Sequence, residues 1–149
     1  MQEKPDALVL YVARNAALCY FAVRWLARRL PNMLQRLMLL KRLFVLYEPF
    51  YEGPRAVTVR EGRIEMTADA SMRRASLSRP STATRSSTSD AAVGEPSKNF
   101  ALVVVDESHH IYSDKQLRGQ VEAYVQGETR RMLISDVSQS LGWGEPCTA

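Results

Sequence analysis

Cysteine is scarce in this chain, with only Cys19 and Cys147 among 149 residues. Cys19 lies in an apolar helical run and Cys147 stands close to the end. Neither has a CxxC partner or metal-ligand spacing. They read as reduced thiols of an intracellular protein. A basic leader is also lacking. The start, Met1-Gln2-Glu3-Lys4-Pro5-Asp6, has no clean positive region ahead of an apolar core, so no signal peptide is expected. No apolar run is long enough to span a bilayer. The best candidate, residues 7–23, is shorter than the roughly 20 residues required. It also carries Arg14 and Asn15 near its middle, where an arginine costs about 2.5–3.5 kcal/mol. Finally, none of the seven glycines is followed by lysine. That excludes the G-x-x-x-x-G-K-[ST] loop, whose backbone amides and lysine hold phosphates.

What remains is an ordinary globular composition, 46% hydrophobic and 24% charged. The length suits one domain, burying about two thirds of the surface of its unfolded chain. Net charge is +4, a mild excess that tolerates an anionic partner without requiring one. The charge is uneven. Residues 1–50 hold eight lysines and arginines, among them Arg24, Arg28, Arg29 and Arg36, against Glu3, Asp6 and Glu48. Two readings stay open for this excess: the solvated face of amphipathic helices, or a contact with nucleic acid or acidic lipid.

The apolar pattern predicts alternating strands and helices. Residues 7–12 form a short β-rich run suited to a strand buried on both faces. Residues 15–30 then place Leu18, Phe21, Ala22, Trp25 and Leu26 near one helical stripe, with Asn15 as cap. Pro31 ends that helix. A second helix is expected over residues 32–43, with Asn32 as cap, then a strand over residues 43–47. Breaks at Pro49 and Gly53-Pro54 precede an alternating segment folded about Glu61-Gly62, which reads as a β-hairpin.

Residues 68–98 differ in kind, being dense in Ser, Thr, Ala, Arg and Pro. They cannot bury enough apolar surface to offset their ordering entropy, and a disordered insert is expected. Within it Arg73-Arg74-Ala75-Ser76 has the pattern of basophilic kinase sites. Residues 100–105, Phe-Ala-Leu-Val-Val-Val, form the strongest strand, ending in Asp106-Glu107. A helix over residues 114–124 follows, closed by Gly127, then a strand over residues 131–135 with Asp136 at its end. The whole is expected to be an α/β domain with a mainly parallel sheet.

The segment Leu102-Val103-Val104-Val105-Asp106-Glu107-Ser108-His109 resembles the Walker B motif of superfamily 1/2 helicase-like P-loop NTPases, in its D-E-x-H form, with His109 in fourth place. In a parallel sheet, ligands bind beyond the carboxyl ends of the strands. An aspartate at such a tip can reach Mg²⁺ through water, and the next glutamate can polarise an attacking water. Met132-Leu133-Ile134-Ser135-Asp136-Val137-Ser138-Gln139-Ser140 is similar to motif III of superfamily 1 helicases, with Ser135 where that family has glycine. Leu10-Tyr11-Val12-Ala13-Arg14-Asn15-Ala16-Ala17-Leu18 resembles motif Ia.

The resemblance implies a partial RecA-like sheet and Mg²⁺ with ATP as cofactors. Asp106 would position the metal, Glu107 would activate water, Asp136 would contribute to the nucleotide site and Gln139 would sense the γ-phosphate. Nucleic acid is a candidate partner, as is the rest of a larger NTPase or helicase core. In the related folds, the strand carrying the phosphate loop pairs with the motif III strand. Without it, residues 131–135 would present an apolar edge. The resemblance therefore implies a fragment of a helicase-like ATPase, inactive alone. The competing readings are a catalytically inactive NTPase-like scaffold, with Ser76 as a phosphorylation switch, and a membrane-peripheral protein using the basic helices of residues 15–43. A metal site at His109 and His110 has no further histidine or well-spaced cysteine to complete it.

Overall fold

A computed structural model of the chain describes residues 7–69 and 99–135. It is an α/β fold with a six-stranded sheet. β1 (Leu8–Val12) leads through α1 (Ala16–Arg29) and α2 (Met33–Arg42) to β2 (Leu43–Leu46). A single 3-10 turn, Phe50–Glu52, precedes β3 (Arg55–Arg60) and β4 (Arg63–Ala68). β5 (Phe100–Val105), α3 (Ser108–Ser113), α4 (Lys115–Glu122) and β6 (Arg130–Leu133) complete the order.

The strands lie in the sequence β4-β3-β2-β1-β5-β6. β1 pairs in parallel with both β2 and β5, and β5 in parallel with β6. β3 and β4 extend the β2 edge as an antiparallel hairpin. The inner strands are apolar because both their faces are covered; all four residues of β2 are buried. One face packs Leu10, Val12, Phe44, Leu46, Val103 and Val105 against Ile111 of α3 and Val121 of α4. The other packs Val45 and Val57 against Cys19 and Val23 of α1 and Leu40 of α2. The chain therefore winds away from the β1/β5 pair in opposite directions, over opposite faces.

Local chemistry explains the boundaries. Asn15 and Asn32 are the caps of α1 and α2, their side chains accepting from the backbone N–H of Leu18 and Leu34 at 2.9 and 2.8 Å. The hairpin turns at Glu61 and Gly62, both at positive φ, 51° and 74°, as a two-residue turn of primed type requires.

Two expectations need correction. The stretch after Asp106-Glu107 is not a loop leading to one helix over residues 114–124 but two helices. Asp114 adopts extended geometry between them, and its carboxylate accepts from the N–H groups of Gln116 and Leu117. α4 then ends at Glu122 rather than Tyr124, and two turns, the second containing Gly127, intervene before β6. The expected strand over residues 131–135 runs from Arg130 to Leu133. Of the serine-rich stretch, Ala68 closes β4 opposite Arg55, and Asp69 follows it. Residues 70–98, with Ser76, lie outside the described residues. Among the described residues no helix is long and apolar enough to cross a membrane.

Burial sets a first prediction. Leu46 is fully buried and Met38 is 45% exposed. Leu46→Ala should lower unfolding free energy by about 2–5 kcal/mol, while Met38→Ala should change it by less than about 0.5 kcal/mol. Urea denaturation followed by circular dichroism reads both. Comparable losses would mean that β2 is not the centre of the core.

Candidate functional site

The carboxyl ends of β1, β5 and β6 meet at one edge of the sheet, and backbone hydrogen bonds continue the pairing past the strands themselves. Asp106 N–H donates to Val12 O at 2.8 Å, and Ala13 N–H to Leu46 O at 3.0 Å. Ile134 N–H donates to Val105 O at 2.8 Å, and Ser108 N–H to Ile134 O at 2.9 Å. Three segments far apart in sequence are thereby set side by side: the β1–α1 loop of Ala13, Arg14 and Asn15, the Asp106-Glu107 pair, and the stretch ending at Ser135. They lie where the winding direction reverses, the place where open α/β sheets bind ligands.

Asp106 is half-buried, and each carboxylate oxygen accepts one hydrogen bond. The Tyr11 hydroxyl donates to Oδ2 at 2.6 Å, and the Glu107 N–H donates to Oδ1 at 2.9 Å. Burial, followed by the hydrogen bond and the negative charge of Asp106, pushes the Tyr11 hydroxyl well above the usual tyrosine range. Tyr11 therefore stays a proton donor to this carboxylate.

Glu107 is held at φ 47°, ψ 42°, a left-handed conformation costing a non-glycine residue about 1–2 kcal/mol. It caps α3 through its backbone, not its side chain. Among the described residues its carboxylate has no hydrogen-bond or ion-pair partner. Strain of this kind at a polar residue is a pointer to function. Beside it, His109 Nδ1 and the Ser135 hydroxyl share a hydrogen bond of 3.1 Å. Among the described residues, the buried His109 Nε2 has no hydrogen-bond partner. At the far side of the edge, Arg14 faces Glu48 at 3.6 Å.

Of the residues expected in the site, Asp106 and Glu107 stand at this edge. Asp136 and Gln139 lie outside the described residues. Tyr11 was missed, because its role depends on β1 lying beside β5, and strand adjacency leaves no mark in the local sequence. Cys19, below the same edge, is fully buried, and burial pushes its thiol up to about 12, away from the thiolate that a nucleophile needs.

The fit to Mg²⁺ and to nucleotide differs. A carboxylate has about four acceptor positions, and Asp106 uses two internally. That leaves room for a water-mediated Mg²⁺, which needs one or two carboxylates and keeps several waters. Among the described residues no group of three or more His, Cys, Asp or Glu side chains could hold a metal outright. The β1–α1 loop, Ala13-Arg14-Asn15, contains no glycine or lysine, the residues with which a P-loop cradles phosphates. His109 and His110 stack at 4.0 Å but gather no third ligand.

No protein-family model matches the chain, and neither does any curated protein or solved structure.

Two measurements test this geometry. Glu107→Gly should raise unfolding free energy by up to about 1 kcal/mol, since glycine accepts positive φ without strain. A loss would show that the strain is not there. For Tyr11 the folded state holds the proton more tightly than the unfolded state. Its contribution is therefore complete below about pH 10, the unfolded tyrosine value, and is lost as pH rises above it. Tyr11→Phe should flatten this alkaline loss in urea midpoints measured across pH; an unchanged slope would remove Tyr11 as its source.

Proposed function

We propose that this chain carries the metal-and-water side of a helicase-like P-loop NTPase site, with the phosphate-binding side supplied by other polypeptide. The observation that carries the reading is the convergence at one sheet edge. Asp106 and Glu107 follow β5, the segment resembling motif Ia follows β1, and the segment resembling motif III begins on β6. The order β1-β5-β6 sets them next to one another, which is what a partial RecA-like arrangement requires.

In this reading Asp106 would hold Mg²⁺, with the Tyr11 hydroxyl and the Glu107 N–H fixing its carboxylate. Bound Mg²⁺ would neutralise phosphate charge. Glu107, with a carboxylate unengaged among the described residues, orients and deprotonates water. His109 ties this segment to Ser135 and hence to the strand leading to Asp136 and Gln139. No step through nucleotide follows from this chain alone, because its sequence contains no G-x-x-x-x-G-K-[ST] loop.

The outer edge of β6 also supports the reading. Among the described residues β6 ends the sheet, and Met132, Leu133 and Ile134 are 51%, 51% and 44% exposed. An unpaired apolar edge is a place for another strand, and in the helicase-like arrangement that strand leads to the phosphate loop.

One observation favours a second reading, a catalytically inactive scaffold. Both Asp106 oxygens are already hydrogen-bonded within the chain, so the site is satisfied without a metal.

Paramagnetic Mn²⁺ separates the two. Titrated into isotope-labelled chain, it should broaden amide signals around Asp106 and Glu107 at millimolar concentration, and Asp106→Asn should abolish the effect. Broadening spread over the surface, or none, would favour the scaffold. In an intact parent enzyme, Glu107→Gln should lower hydrolysis by about 100-fold or more, with nucleotide binding retained.

A further inference from the structure

α1 and α2 contain no acidic residue, and they carry Arg24, Arg28, Arg29, Arg36, Lys41 and Arg42. Both helices cover the same face of the sheet, anchored through Cys19, Val23 and Leu40, so their outer sides form one surface. That surface is apolar as well as basic. Phe21 is 68% exposed, Met33 74% and Leu34 63%, and Trp25, Leu37 and Met38 are between 42% and 49% exposed. The Arg29 guanidinium lies over the Trp25 ring, 4.6 Å from its centre. Between the helices and the β3–β4 hairpin opens a cleft of about 520 Å³, lined by Tyr20, Arg24, Arg28, Met33, Arg36 and Leu37 among others.

We propose that the outer surface of α1 and α2 docks on an anionic phospholipid bilayer, with Phe21, Trp25, Met33 and Leu34 entering the headgroup region and Arg24, Arg28 and Arg36 meeting lipid phosphates at the cleft. Exposed patches of this kind mark interaction surfaces. Charge complementarity selects the occupant: a surface with arginines and no acids is repelled by a second copy of itself and attracted to a negative one. The apolar side chains choose between negative partners. Nucleic acid rewards aromatic rings that stack on bases. Methionine and leucine contribute nothing to stacking, but gain by burial among acyl chains. Tryptophan favours the bilayer interface, where its ring is half in water. The sheet edge bearing Asp106 and Glu107 belongs to neither helix surface, so docking leaves it open.

The test uses the full chain with Trp143→Phe, which leaves Trp25 as the only tryptophan. At low salt it should float with phosphatidylcholine vesicles containing about one third phosphatidylserine, an anionic surface for the arginines. Trp25 emission should shift to the blue on binding. Arg24→Gln with Arg28→Gln should weaken partitioning about 25-fold, at roughly fivefold per arginine. Phe21→Ser with Leu34→Ser should abolish the emission shift. All four positions are exposed, and an unchanged circular dichroism spectrum would confirm that the variants fold. Three results would overturn the proposal: no flotation at low salt, equal binding to pure phosphatidylcholine, or burial of Trp25 in a dimer without lipid. Displacement from vesicles by single-stranded polyuridylate, with tighter binding to it, would assign the surface to nucleic acid instead.

Discussion

The parallel pairing of β1 with β5 is the constraint on which the rest depends. Val12 lies opposite Val105, and the Asp106 N–H continues the ladder to Val12 O. This register fixes how far Asp106 projects beyond the sheet. It also makes the β1/β5 boundary the point at which the chain turns to wind the other way, α1 and α2 over one face, α3 and α4 over the other. A shift of one residue would send Val103 and Val105 to the wrong face. The core and the candidate site would be lost together.

At that boundary the chemistry is economical. One carboxylate is oriented by a tyrosine from the neighbouring strand and by the amide of its own successor. That successor adopts a backbone geometry that glutamate does not favour, and its carboxylate stays free of partners among the described residues. Strained backbone persists where surrounding structure over-determines it. Here Ser108, buried and bonded to Ile134 O, holds the other end of the turn in place. The same hydrogen bond connects the turn to β6, the strand with least cover.

The described residues are polarised in charge. Arg14 apart, its acidic groups dominate the sheet edge, at Glu48, Asp106 and Glu107, whereas α1 and α2 are basic and partly apolar on their outer sides. These regions are built by different elements and use different chemistry. The proposed metal and water chemistry at the first and the proposed surface attachment at the second are therefore compatible in one chain.

The order of strands and helices was legible in the sequence because each rests on local signals. Leu8 to Val12 and Phe100 to Val105 are continuous apolar runs, Asn15 and Asn32 are capping side chains, and Glu61-Gly62 is a two-residue turn. The Asp106-Glu107 pair was legible too, as acids closing a buried strand. α3 was not, because a six-residue helix rests on packing of Ile111 and the Ser108–Ile134 contact rather than on its own periodicity. Tyr11 as partner of Asp106, His109 as partner of Ser135 and the meeting of three loops at one edge belong to the tertiary structure alone. Strand order decides them, and it is set by which faces bury together across many intervening residues, a sum of long-range contacts that no single segment encodes.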